Sequence, residues 1–193
     1  MEEQFRQFLN SYTQLSETEF GLISKIIIKK RLKSGSHLVE ANKICNEIAF
    51  YNKGYFRYYY YSKTGDEVTS DFYFAPNFAT SFTSLITGKP SGVNVQAMED
   101  MDIWAINKTD LNNLYSKCHN IEKLGRLIAE SVFVNSEQHL LSLLNKTATE
   151  RYKDLLYNNP EYIQKIPLQY IASYLGITQE TLSRVRKKIH YKP

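Results

Sequence analysis

The residues with most chemistry to offer lie in the last quarter of the chain. If 178–189 forms one helix, Leu182, Val185 and Ile189 recur on one face and leave Gln179, Glu180, Ser183, Arg184 and Lys187 on the other. That outer face carries amide, carboxylate, hydroxyl and guanidinium groups able to bond nucleobase edges. It runs into Arg186-Lys187-Lys188, a basic end suited to phosphates. Just upstream, Ile171, Ala172 and Leu175 form the inward face of a shorter helix opened by Pro167. Between the two, Gly176 can take the left-handed conformation that ends a helix, Ile177 plugs the turn, and Thr178 is a good N-cap. The spacing Ala172, Gly176, Leu182, Val185 is that of a DNA-binding helix-turn-helix; a plain helical hairpin shares only its core half.

The charge distribution agrees. The 193 residues carry a net +4, but 146–193 hold nine basic and four acidic side chains, a net +5, so the preceding 145 sum to −1. A small basic module on a near-neutral body fits a polyanionic partner. With 42% hydrophobic and 23% charged residues the composition is that of a globular protein. Its apolar runs, such as Ile26-Ile27-Ile28, are far too short to span a bilayer, and the acidic start Met1-Glu2-Glu3 lacks the features of a secretory signal, so a cytoplasmic location is expected.

Other chemistry is poorly represented. No paired carboxylates, nucleophile–base pair or metal triad stands out, so the chain is not expected to be an enzyme. Cys45 and Cys118 form no CxxC and read as plain buried thiols. His37 with Glu40 hints at a cupin metal site, but no second histidine lies in the strand-rich region, and a solvated or hydrogen-bonded His37 is the favoured reading.

The elements that must position the C-terminal face follow from periodicity. Residues 1–24 read as two helices, the second capped by Ser16-Glu17-Thr18-Glu19. From about residue 25, short runs rich in Ile, Val, Tyr and Phe alternate with turns, including a hairpin that pairs 55–61 with 67–74 around Gly65. Period-2 alternation sends Phe56, Tyr58 and Tyr60 to one face and Tyr55, Arg57, Tyr59 and Tyr61 to the other; strand packing explains these tyrosines better than base stacking. Strands at 93–98 and 103–106 follow, then a helix over 111–118 capped by Thr109-Asp110. A 25-residue helix over 120–144 would be roughly 37 Å long, with an apolar stripe that is imperfect between Asn135 and His139. It is expected to serve as a dimer seam, although packing against its own β-domain explains the same apolar stripe. The fold class is α+β: an antiparallel β-roll of jelly-roll type flanked by helices (1–118), a dimerisation helix (119–145), and an all-helical helix-turn-helix domain (146–193).

In this order of elements, the motif Ile171-Ala172-xx-Leu175-Gly176-Ile177-Thr178-xx-Thr181-Leu182-Ser183-Arg184 resembles the Crp/Fnr family of bacterial transcription regulators over nearly the whole chain. The resemblance implies a cyclic-nucleotide-binding-type β-roll, a dimerisation helix and a winged helix-turn-helix. It implies that the helix over 178–189 enters the major groove of double-stranded DNA. Gln179, Glu180 and Arg184, with Ser183 beside them, would read bases, while Gln169, Thr178, Arg186, Lys187 and Lys188 would hold phosphates. A homodimer would meet two half-sites about 34 Å apart. RNA polymerase and a small-molecule effector are further partners it implies.

The departures from the family matter equally. Where cyclic-nucleotide-binding members carry a Gly-Glu pair and then an Arg-Ser pair, this chain has Thr80-Ser81 and Ser91-Gly92. Serine cannot supply the bidentate contact of the phosphate-holding arginine, and Lys89 offers only a weaker point charge. Binding of cyclic AMP is therefore not expected. Nor are haem or an iron–sulfur cluster, since the chain has no N-terminal cysteine cluster. The sequence stops at His190-Tyr191-Lys192-Pro193, so no wing is expected. Two rival readings remain: a ligand-binding β-roll whose C-terminal module binds a protein, and a cupin-like enzyme.

Overall fold

The computed structural model describes residues 1–190 and the side chains through Ile189. The expectation about a wing, which turns on Tyr191–Pro193, lies outside the described residues.

Among the described residues, eight strands form two four-stranded antiparallel sheets facing each other as a roll. One contains β1 (Ile28–Leu32), β8 (Met101–Asn107), β3 (Glu47–Tyr51) and β6 (Asn77–Ala79) in that order; the other contains β2 (His37–Val39), β7 (Asn94–Ala97), β4 (Tyr55–Tyr61) and β5 (Glu67–Phe74). Between them lie apolar side chains, among them Ala49, Phe56, Ala79, Val95 and Ile103, all fully buried. The edge strand β1 exposes Lys29, Lys30 and Arg31, charges that discourage pairing with another chain.

Helices cover the outer face of the first sheet. Helices α1 (Glu2–Asn10) and α2 (Glu17–Lys25) precede the roll, and the latter starts in a capping box in which Ser16 and Glu19 satisfy each other's backbone amides. Phe5 packs 4.7 Å from Phe50 and 5.4 Å from Trp104, ring centre to ring centre. Between β6 and β7 sits the short α3 (Phe82–Thr87). Next, α4 spans Lys108–Tyr115, three residues earlier than its sequence suggests, because the Asn107 side chain accepts the Thr109 N–H at 2.8 Å and caps the helix in place of Thr109-Asp110.

The long helix α5 (His119–Asn145) is divided in function along its length. Ile121, Leu124 and Ile128 bury against the roll. Farther along, Asn135, His139 and Ser142 face the C-terminal helices, while Phe133, Leu140 and Leu144 occupy the opposite face and stay exposed, Phe133 by 66% and Leu144 by 71%. The break in the apolar stripe thus comes from a second packing surface.

Two helices not resolved from the sequence follow: α6 (Ala148–Asn158), capped by Thr147 and Glu150, and α7 (Pro160–Lys165). With α8 (Leu168–Tyr174) and α9 (Gln179–His190) they build a third core that includes Tyr152, Ile171, Ala172 and Leu182 and extends to Tyr55 and Phe72 of the second sheet. The alternation expected along β4 therefore buries both faces: Phe56 points into the roll, whereas Tyr55, Arg57 and Tyr59 lie on the face the C-terminal helices cover. Tyr60 and Tyr61, at the hairpin end, are exposed. Of the two cysteines, Cys45 is buried as expected; Cys118, at the start of α5, is only half-buried.

Candidate nucleic-acid interface

The turn between α8 and α9 is held by backbone geometry that the sequence anticipates. Gly176 adopts φ +65°. Its N–H donates to the Ser173 carbonyl at 3.0 Å, and the Ile177 N–H reaches the Ala172 carbonyl at 3.0 Å, the paired bonds of a Schellman stop. Arg151 of α6 donates from Nε to the Leu175 carbonyl at 2.9 Å and satisfies another acceptor of this helix end. The Thr181 N–H then donates to Thr178 Oγ1 at 3.2 Å, so Thr178 caps α9 as expected. Pro167 stands one residue before α8, as its N-cap.

In α9, Leu182 and Val185 are buried, and Gln179, Glu180, Ser183, Arg184, Lys187 and Lys188 are exposed, as are Gln169 on α8 and Thr178 at the turn. Arg186 is half-buried, so it is less open to a phosphate than its lysine neighbours. Arg184 Nη2 donates to Thr181 Oγ1 at 3.0 Å, which aims the guanidinium along the outer face. Glu180's own amide N–H and the Thr178 hydroxyl hold its carboxyl below the usual carboxylate range, and Arg184 adds to this. The face therefore presents an ionised acceptor and a cation one turn apart, ahead of a basic helix end.

The cassette residues have a different environment. Thr80, Ser81 and Ser91 are buried, while Lys89 and Gly92 are exposed. Thr80 Oγ1 donates to the Glu47 carbonyl at 2.8 Å; Ser91 Oγ donates to the Val93 carbonyl at 2.7 Å and lies 2.9 Å from Ser81 Oγ. Sequence reasoning missed Tyr58: its hydroxyl accepts the Thr80 N–H at 3.1 Å and donates to the Thr80 carbonyl at 3.3 Å. A backbone donor at the cassette is thus already engaged by a phenol, whose pKa burial pushes far up. Elsewhere, His37 Nε2 lies 2.9 Å from the Tyr59 hydroxyl, the hydrogen-bonded state expected of it. Among the described residues no group of three or more His, Cys, Asp or Glu is arranged to hold a metal ion.

The junction between roll and C-terminal helices is the other feature sequence reasoning missed. The Thr69 N–H donates to Ser173 Oγ at 2.8 Å, Tyr162 donates to the Phe72 carbonyl at 2.6 Å, and Tyr55 donates to the Lys165 carbonyl at 3.2 Å. Arg57, 1% exposed, donates to Glu67 at 2.6 Å and to Thr69 Oγ1 at 2.9 Å. An arginine in the middle of an aromatic strand was the available signal.

Comparison with known proteins follows the same division. Residues 29–118 match the cyclic nucleotide-binding domain family. No curated protein matches the chain. Among solved structures, FixK2 from Bradyrhizobium japonicum has a TM-score of 0.73 at 19% identity, covering 86% of this chain and 85% of that one. A transcriptional regulator of the Crp/Fnr family from Eubacterium rectale also has a TM-score of 0.73, at 20% identity and 91% and 84% coverage. The c-di-GMP-responsive global regulator CLP of Xanthomonas campestris has a TM-score of 0.70 at 12% identity, with 91% and 92% coverage. No helix among the described residues is long and apolar enough to cross a membrane. Over residues 29–118 the chain is similar to the cyclic nucleotide-binding domain family, and along most of its length it has the fold of these solved transcription regulators.

Proposed function

We propose that this protein is a homodimeric, sequence-specific DNA-binding transcription regulator whose β-roll does not use cyclic AMP. The observation that carries the reading is the exposed face of α9. Gln179, Glu180, Ser183 and Arg184 stand clear of the core on a helix fixed by Leu182 and Val185, with Lys187 and Lys188 beyond them. In this reading Arg184 addresses guanine and Glu180 accepts from cytosine, while Gln169, Thr178, Arg186, Lys187 and Lys188 meet phosphates. The role is one of binding, with no catalytic step.

The exposed apolar face of Phe133, Leu140 and Leu144 supports α5 as the dimer seam, because water-exposed side chains of this size gain by pairing with a second copy. Against cyclic AMP stand the serine at the arginine position and the Tyr58 hydroxyl on the Thr80 amide. The test is selection of genomic fragments by the full chain, followed by footprinting. The expected result is an enriched, two-fold symmetric site with half-sites about 34 Å apart. Failure to retain any DNA at low salt would overturn the reading and favour a protein-binding role for the C-terminal helices.

A further inference from the structure

A cleft of about 450 Å³ opens at the free edge of the roll, where β5 and β6 end their sheets. Three parts of the molecule wall it: Asp71 and Tyr73 from β5, the polar side of α5 at Asn135 and His139, and the C-terminal helices through Glu161, Tyr162 and Tyr174. Its size is that of a pocket for a small organic molecule, and boundaries between packed units are where such pockets concentrate.

The charges of the cleft select the class of occupant. Lys146 is paired with Asp154 at 2.7 Å. Arg151 is committed to backbone carbonyls, with Nε on Leu175 at 2.9 Å and Nη1 on Lys146 at 2.5 Å. His139 stacks on Tyr174 with ring centres 4.3 Å apart, and burial, helped by Arg151, holds its pKa below the usual imidazole range, so it supplies no positive charge at neutral pH. Asp71 and Glu161 are left, and with Arg151 still charged they give the cleft one net negative charge when both are ionised. Neither lies within ion-pair distance of a cation among the described residues, and Asp71 has only the Phe72 N–H at 2.8 Å and the Tyr73 hydroxyl as partners. Burial pushes the Asp71 carboxyl up to about 6, so it is ionised at pH 8. Tyr73, Tyr162 and Tyr174 also line the cleft, with Tyr174 stacked on His139 and Tyr162 on Phe74.

We propose that this cleft binds a small organic cation, a diamine or a guanidinium-bearing amine, with one charged end on Asp71 among the tyrosines and the other on Glu161. Such a ligand touches roll, long helix and C-terminal helices together, so its binding sets how firmly the helix-turn-helix is held to the roll. The binding does not depend on the DNA-binding reading and is measured without DNA.

The experiment is titration calorimetry of the full chain at pH 8 and constant ionic strength, with putrescine and agmatine as cationic probes and glutamate as the anionic one. We expect saturable binding of at least one cation, one per chain, and a tenfold or greater loss of affinity in both Asp71→Asn and Glu161→Gln. Glu161 is only half-buried, so Glu161→Gln keeps the test decisive if Asp71→Asn does not fold. No heat from either cation up to about 10 mM, a weaker regime than the millimolar Kd worth about 4 kcal/mol, overturns the proposal. So does unchanged affinity in the folded variants, or tighter binding of glutamate.

Discussion

The guanidinium carbon of Arg57, on β4, lies 3.7 Å from the ring centre of Tyr170, on α8, and 4.4 Å from that of Tyr59. With its charge answered by Glu67 and its Nε by Thr69, Arg57 is a cation held between the β-roll and the first helix of the helix-turn-helix. A desolvated cation–π contact contributes about 2 kcal/mol. Arg57→Met, which keeps the apolar stem, is expected to lower stability by about 2 kcal/mol in urea unfolding. A double-mutant cycle with Tyr170→Ala should return a coupling of about 1–2 kcal/mol. A coupling near zero would mean that the junction is held by its apolar core and by the bonds of Tyr55, Tyr162 and Ser173, without Arg57.

The outer face of α9 separates two kinds of contact. Arg184→Ala is expected to weaken specific binding by about 1–3 kcal/mol and relax the preference at one base pair. Lys187→Ala should weaken all sequences alike and lower the salt slope by about 1. Binding to a randomised DNA pool at several salt concentrations distinguishes them; an unchanged sequence profile in Arg184→Ala removes that residue from base reading.

The carboxyl of Asp71 gives stability a distinctive pH dependence. Its folded pKa of about 6 lies above the ordinary 3.8, so between these values the folded chain keeps a proton that the unfolded chain releases. Its contribution is therefore greatest below pH 4 and falls as pH rises to about 6, by on the order of 2 kcal/mol. His139 acts in the opposite sense, because its depressed pKa makes stability fall as pH drops through the imidazole range. Glu161, Asp154, Lys146 and Arg151 also face the cleft, so the informative quantity is the difference between Asp71→Asn and the parent. Urea midpoints from pH 4.5 to 8 should show the variant gaining on the parent as pH rises, and cation affinity of the parent should climb through about pH 6.

Which parts of this arrangement are legible in the sequence follows from the range of the interactions. The capping box at Ser16, the hairpin at Gly65 and the turn at Gly176 are local, set by residues within a few positions of one another, and the structure has them where the spacing puts them. Thr147 and Glu150 carry the same local capping signal for α6. The exposed face of α9 is equally local. By contrast, Tyr58 meets Thr80 across 22 positions, and Thr69 meets Ser173 across 104; nothing in either neighbourhood announces the other. The polar interval from Asn135 to His139 looked like a flaw in a dimer stripe until the cleft supplied the surface it faces.

That division of α5 predicts where dimerisation resides. Replacing Leu140 and Leu144 together by Glu puts two charges on the exposed apolar face without touching the cleft side. Sedimentation should then show a particle near 22.5 kDa, against twice that mass expected for the parent if it pairs as proposed. A variant that stays dimeric would place the seam elsewhere.

Gly176 joins the end of α5 to the turn that aims α9. At φ +65° any side chain bears the left-handed penalty of about 1–2 kcal/mol, and a Cβ there would sit 3.3 Å from Leu143 Cδ2. Gly176→Ala should therefore cost about 1–2 kcal/mol in unfolding, and more if Leu143 cannot shift by a few tenths of an ångström. Gly176→Asn bears less backbone strain, because asparagine tolerates this conformation, but keeps the approach to Leu143. Combining each with Leu143→Ala separates the two causes. If relief comes only in the Leu143→Ala background, the contact dominates; if Asn is better than Ala in both backgrounds, the backbone does. A Gly176→Ala protein as stable as the parent would show that the Schellman stop is not what fixes the angle between α8 and α9.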